Sequence, residues 1–154
     1  MTDQIDARLA ELGLALPEAA APVAAYVPAV EAGGLLHISG QLPFRDGKVI
    51  TGRLGEDVTL EGGQEAAEAC ALMLLAQIRK ALGGFERVER VVKLGVFVNS
   101  TPGFTDQPKV ANGASELMQA VFGEAGRHAR AAVGVAALPL GAAVEVDATV
   151  ALRA

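Results

Sequence analysis

The sequence has no tryptophan, a single tyrosine and a single cysteine in 154 residues, and aromatic residues make up only 4% of it. A core built from such a chain must rest on Ala, Val and Leu, whose small side chains let secondary-structure elements, and neighbouring subunits, approach closely. The lone Cys70 cannot close an intrachain disulfide and has no metal-ligand spacing around it. It lies in an apolar helical run and reads as a small core residue. Basic clusters are also missing: the densest stretch, Arg87 to Lys93, is interleaved with Glu89 and apolar residues, and the net charge is −5. That argues against a protein that tracks nucleic-acid phosphates. The longest uncharged run, Ala131 to Val144, is broken by Gly and Pro and falls short of the ~20 residues that span a bilayer. Asp3, Asp6 and Glu11 occupy the positions where a signal peptide would be basic and then apolar. The expectation is a cytoplasmic protein with neither nucleic acid nor membrane as a partner.

What is present is a globular composition, 51% hydrophobic and 20% charged, of a length that suits one domain over 1–154, with 1–21 as a helical N-terminal extension. Ile5, Leu9, Leu12 and Leu16 recur at near-helical spacing, which predicts a helix over Ile5–Leu14, closed by Pro17 and Pro22. Val23 to Gly40 reads as two strands joined at Gly33-Gly34, the second being Leu35–Ser39, and Asp46-Gly47 marks a tight turn before Val49-Ile50. Thr59–Leu82 is the plainest helix. Thr59 can cap it, acids crowd its early turns, Arg79 and Lys80 close it, and Gly83-Gly84 follow. Its middle, Ala69 to Ala76, is apolar nearly all round, which predicts cover on more than one side. Val88–Val98 is an apolar strand. A helix over about Asp106–Phe122 carries Pro108 in its first turn and, inside it, Asn112-Gly113, a weak pair for which a close backbone approach is one possible reason.

The chain ends in two strands, Ala129–Ala137 and Ala142–Ala151, around Leu138-Pro139-Leu140-Gly141. Treated as a hairpin, they pair residues whose numbers sum to 279. Val133 and Val135 then face Val146 and Val144, and Arg130 shares the opposite face with Ala132, Gly134, Glu145 and Asp147. In that register Arg130 and Glu145 lie about 13 Å apart along the strands, able to converge on a small ligand but not to pair directly.

Three segments taken together, Ala25-Tyr26-Val27, Ile38-Ser39-Gly40-Gln41-Leu42-Pro43 and Ala129-Arg130-Ala131-Ala132-Val133 through Leu138-Pro139 to Val144-Glu145-Val146, resemble the YjgF/RidA family in order and spacing. The resemblance runs from about Pro22 to the C-terminus, and its longer, less characterised branch, often labelled endoribonuclease L-PSP-like, is the nearer match. It implies an α+β, chorismate-mutase-like fold, with a mixed sheet carrying two helices on one face, in a homotrimer with three clefts between subunits. It also implies hydrolysis of enamine/imine intermediates such as 2-aminoacrylate to 2-keto acids and ammonia, with no metal or organic cofactor. By position, Arg130 matches the arginine that holds the substrate carboxylate and Glu145 the glutamate that positions water and moves protons. Tyr26, Ser39 and Gly40 match the residues lining the cleft. Ala132 stands where RidA itself has a cysteine, and the family asparagine corresponds to Asn112 or is replaced by Ser115. Other readings are a carboxylate binder without turnover, and an endoribonuclease, which the acidic composition disfavours. His128 and Arg127 precede Arg130, and both read as structural or solvated residues, as does His37. Gly40 to Lys48 lacks the spacing of a phosphate loop.

Overall fold

The computed structural model describes residues 4–22 and 24–154. Its elements in chain order are α1 (Gln4–Glu11), β1 (Ala29–Ala32), β2 (Leu35–Gln41), β3 (Phe44–Arg45), β4 (Lys48–Val49), α2 (Leu60–Leu82), β5 (Val88–Asn99), α3 (Gln107–Phe122), β6 (Ala129–Val135) and β7 (Val144–Leu152). The helix expected over Ile5–Leu14 thus ends at Glu11, and the first strand begins at Ala29; Val23, where that strand was expected to begin, lies outside the described residues. β1 and β2 turn at Gly33 and Gly34, whose φ values of 60° and 77° suit a two-residue hairpin whose twist matches its strands.

α2 is bounded as its sequence requires. The Thr59 hydroxyl accepts from the Gly62 N–H at 3.0 Å, a cap worth about 1 kcal/mol. Gly83, at φ 74°, sends its N–H to the Arg79 carbonyl. Its middle is buried on several sides, from Ala66 through Ile78. Cys70 lies among these residues with its thiol on the Val144 carbonyl, and burial pushes its pKa well up, so it is an inert packing residue. α3 crosses α2 where Gly113 meets Gln64: a Cβ at Gly113 would fall 2.1 Å from the Gln64 carbonyl oxygen. The Asn112-Gly113 pair therefore does mark a close backbone approach. α1 joins the same body through Leu9, buried in the core, and through the Arg8 Nε donating to the Ala120 carbonyl.

The main sheet has the order β1-β2-β7-β5-β6, mixed in direction, with β5 and β6 parallel and the other pairs antiparallel. Val144, Val146, Val150, Leu94, Val96 and Val98 on one face bury against α2 and α3. On the other face Val133, Val30 and Val27 are left exposed, and Tyr26, ahead of β1, is exposed as well.

This order corrects the expected final hairpin. β6 and β7 do not pair, because β5 lies between them. Arg130 stands beside Leu94 and Leu94 beside Ala148, while Phe97 stands between Val133 and Glu145. Relative to the expected pairing β7 is shifted by one residue, which is enough to turn every side chain to the other face. The cause is the order strand, helix, strand over β5, α3 and β6: a helical crossover joins parallel neighbours, so β6 docks on β5 and leaves the other edge of β5 to β7. Arg130 thus faces the helices, and Glu145 faces away from them.

Candidate active site

Arg130 lies on the sheet's outermost strand, β6, and reaches up to α3. Its Nη1 donates to Asn112 Oδ1 at 2.9 Å and Ser115 Oγ at 3.1 Å, and its Nη2 donates to the Pro108 carbonyl at 3.2 Å. Both candidates for the family asparagine therefore hold the same guanidinium. No carboxylate of the described residues pairs with it. Of its five N–H groups, three are used, leaving Nε–H and one Nη2–H. Nε and Nη2 share one edge of the guanidinium, the edge that matches the two oxygens of a carboxylate. Ala132, two residues on, shares the face and packs against the core.

A residue outside the expected set completes this half. His128 contacts the Gly126 carbonyl through Nδ1 at 2.6 Å and Ser115 Oγ through Nε2 at 2.8 Å. The carbonyl can only accept, so Nδ1 carries the proton and neutral Nε2 accepts the Ser115 hydroxyl hydrogen. The serine lone pairs are then turned toward Arg130. The hint in the sequence was small: His128 and Arg130 are two apart at the start of a strand and so share a face. Burial holds the His128 pKa below its ordinary 6.5, and the Arg130 charge lowers it further against an opposing pull from the Gly126 carbonyl.

A group whose folded pKa is depressed contributes stability that is present above its unfolded pKa and lost as pH falls. Thermal unfolding measured between pH 8 and pH 5 should therefore show a fall in Tm beginning near pH 6.5. His128→Gln should flatten it. Superimposable profiles would mean that the imidazole is not coupled to the fold.

The second half lies two strands away. Ser39 is fixed by its hydroxyl donating to the Pro28 carbonyl at 3.2 Å. Gln41 donates to the Ser39 carbonyl at 3.0 Å and accepts from Gln77 at 3.1 Å, and Gln77, buried in α2, also donates to the Ala20 carbonyl at 2.9 Å. This buried amide pair, which the sequence reading passed over, ties the Ser39-Gly40 segment to the helix. Tyr26, Ser39 and Gly40 line a hollow of about 70 Å³. The Glu145 carboxylate lies over Gly40, where a Cβ would come within 2.7 Å of its Cδ and Oε2. Partial burial, and secondarily Asp147, raise the Glu145 pKa above 4.5, which extends toward neutrality the range in which it can carry a proton. Since the Gly40 clash is with a flexible side-chain end, Gly40→Ala should leave Tm nearly unchanged while displacing the carboxylate, an outcome readable as a lowered Glu145 pKa in carbon-detected NMR titration. An unmoved titration would mean that the carboxylate does not depend on that glycine.

The expected residues thus form two groups. Arg130, Asn112, Ser115 and Ala132 gather under α3 at β6; Tyr26, Ser39, Gly40 and Glu145 gather at β2 and β7. With two strands between β2 and β6, the groups are roughly 14 Å apart across the sheet, and Arg130 and Glu145 are on opposite faces. His37 is exposed on the face away from the helices, and Arg127 pairs loosely with Glu124. Among the described residues, no cluster of His, Cys, Asp or Glu could hold a metal ion, and no helix is long and apolar enough to cross a membrane.

The chain is similar to proteins of known sequence and structure over almost its whole length. It is 59% identical over 152 residues to Protein TCP17 of Trypanosoma cruzi, covering 97% of this chain and 95% of that one. It is 29% identical over 142 residues to a 2-iminobutanoate/2-iminopropanoate deaminase of Dermatophagoides farinae, covering 91% and 95%. A crystal structure from Shewanella oneidensis, labelled an endoribonuclease, superimposes with a TM-score of 0.94 at 34% identity, covering 97% of this chain and all of that one. The family model described as YjgF/chorismate mutase-like, which also carries an endoribonuclease label, matches residues 6–150. This chain belongs to the YjgF/chorismate mutase-like family.

Proposed function

We propose that the protein hydrolyses small 2-imino or enamino acids to 2-keto acids and ammonia, in a cleft completed by a second copy of the chain. The observation that carries this reading is the Nε/Nη2 edge of Arg130, half-buried and without a carboxylate of its own protein. The imino acid's carboxylate would lie on that edge. Water adds to the imine carbon, and its proton passes by way of a carboxylate to the imine nitrogen. The resulting carbinolamine loses ammonia as the C–N bond breaks, and the hydroxyl becomes the keto oxygen. Glu145, with its raised pKa, suits the proton-carrying role. Because Glu145 and Arg130 point to opposite faces of one sheet, they can share a ligand only if the β6 of one copy meets the β2–β7 region of another. A homotrimer of the family kind would do this, and the exposed Val133, Val30 and Val27 give such a contact apolar surface.

Imine hydrolysis is already fast in water, so placing the water and the imine carbon is enough for a useful gain. The test generates 2-iminobutanoate with an amino-acid oxidase in the presence of semicarbazide as a trap. Shortened imine lifetime, seen as less semicarbazone in proportion to added protein, is the expected result. An unchanged yield at high protein concentration ends the hydrolase reading.

A second reading, a carboxylate binder without turnover, is favoured by Ala132 standing where RidA has its cysteine. It predicts keto-acid binding that needs Arg130, no effect on imine decay, and indifference to Glu145→Gln. The endoribonuclease label finds little support in a chain with net charge −5 and no basic stripe.

A further inference from the structure

Five of the nine arginines in this chain take a carboxylate partner: Arg8, Arg45, Arg79, Arg87 and Arg127. Arg90 and Arg153 are exposed. Among the described residues, that leaves two half-buried arginines whose guanidinium forms no ion pair, Arg130 and Arg53. Withdrawing a guanidinium from water without a counter-charge costs free energy, and at Arg130 the proposed return is a bound carboxylate. Arg53 poses the same question at the opposite end of β6.

Arg53 donates from Nε to Asn99 Oδ1 at 3.2 Å and from Nη2 to the Ala136 carbonyl just beyond the strand. Those bonds tie the 51–54 segment to the sheet, but they use two of five N–H groups. Both Nη1 hydrogens and one on Nη2 remain. No ion pair joins the guanidinium to the nearby Asp57, whose Oδ1 accepts instead from the Arg53 backbone N–H at 2.7 Å.

Beside this guanidinium is a cavity of about 550 Å³, a volume that suits a small molecule. Its lining holds one cation, the hydroxyl residues Ser100, Thr101 and Thr105, the amide of Gln107, and no acid. The floor is kept open by Gly134, where a Cβ would come within 2.7 Å of Ser100 Oγ and 2.8 Å of Gln107 Nε2. Gln107 is itself held, its Nε2 donating to the Phe104 carbonyl at 2.8 Å and to Ser100 Oγ at 3.3 Å, so both of its amide hydrogens are spent within the wall. The Ser100 hydroxyl is spent on the Val98 carbonyl at 3.2 Å, so the donors left to the pocket are the Arg53 guanidinium and the hydroxyls of Thr101 and Thr105. One fixed positive charge with no competing carboxylate selects for an oxyanion, and the guanidinium fork matches carboxylate and phosphate alike.

We propose that this cavity is a second anion site, separate from the Arg130 site, which takes a small carboxylate or phosphate on the Arg53 guanidinium. It does not depend on the hydrolase reading, since neither Arg130 nor Glu145 lines it.

The test uses ¹⁵N-labelled Arg130→Ala protein, in which the first site is removed, titrated separately with malonate and with inorganic phosphate. At least one probe should shift the backbone amides of Ser100, Thr101, Thr105 and Gln107, with a Kd of about 1 mM or tighter. Arg53→Gln can keep a donor to Ala136 but not the charge, and should weaken binding about tenfold or more. Should that variant fail to fold, Arg53→Lys takes its place and should weaken binding several-fold, because it keeps the charge and loses the fork. Which probe binds tells carboxylate from phosphate. Equal affinity with and without Arg53, shifts gathered elsewhere, or no response to either probe up to about 20 mM overturns the proposal.

Discussion

Replacing Arg130 by Ala should lower affinity for 2-oxobutanoate, a stable keto analogue of the imino acid, by about 100-fold or more. The Nε/Nη2 edge offers two charge-assisted hydrogen bonds to one carboxylate, each worth about 1.5–3 kcal/mol, and 2.7 kcal/mol already corresponds to about 100-fold. Folding should suffer much less. The variant loses three hydrogen bonds from Arg130 to neutral oxygens, each of net value about 1 kcal/mol. At an edge strand, water can replace part of these, and removing a half-buried cation offsets some of the rest. Calorimetry with 2-oxobutanoate, alongside thermal unfolding, separates the two quantities. Arg130→Lys should recover charge but not the paired geometry, and lie between wild type and Ala. If Arg130→Ala binds the keto acid as well as wild type does, the proposed site is not where the ligand goes.

The second large effect concerns the fold, and two physical principles give it opposite signs. Gly113 sits inside α3, where helix propensity alone says that Ala should stabilise by about 1 kcal/mol. The structure says otherwise: the added Cβ would fall 2.1 Å from the carbonyl oxygen of Gln64 and 3.0 Å from its Cα. Those are backbone atoms of α2, so no side chain can swing aside. The helices must separate, which strips contact from Val110 and Ala114, both fully buried in the shared core. Overpacking costs about 1–3 kcal/mol and more where the clash is with backbone, so the net effect should be a loss of about 2 kcal/mol after the propensity gain. Chemical denaturation of Gly113→Ala should show that loss. A neutral or stabilised variant would mean that α2 and α3 slide past each other more easily than their backbones suggest. Because Arg130 hangs from Asn112 and Ser115 on either side of this crossing, a smaller loss of keto-acid affinity should accompany it.

Much of the fold could be read directly from local chemistry. Thr59, the charge order of the helix and Gly83 place α2 to within a residue, because caps and the helix dipole act over a single turn. Gly33-Gly34 places the first hairpin for the same reason. The Asn112-Gly113 pair announces a close approach, although what it approaches is known only from the crossing. The members of each group of candidate residues could be named one by one. Arg130, Asn112 and Ser115 do meet, and Tyr26, Ser39, Gly40 and Glu145 do gather, but the relation between the two sets was misjudged. Treating β6 and β7 as a hairpin put Arg130 and Glu145 on one face, and the parallel docking of β6 on β5 reverses that. The order strand, helix, strand was the available warning. His128 and the Gln41–Gln77 pair were missed because a lone histidine before a strand and two glutamines 36 residues apart have no local pattern.

By itself the sequence determined the two ends of α2 and the turn of the first hairpin, that the core is made of small aliphatic residues, and that a lone arginine and a lone glutamate stand in the last two strands. Those properties depend on neighbours within a few positions along the chain. Only the tertiary structure decided which strand lies between those two, which face each charge occupies, and which arginines are left without an acid. Strand order and burial are set by contacts between distant segments, and a shift of one residue in register reverses every side chain of a strand.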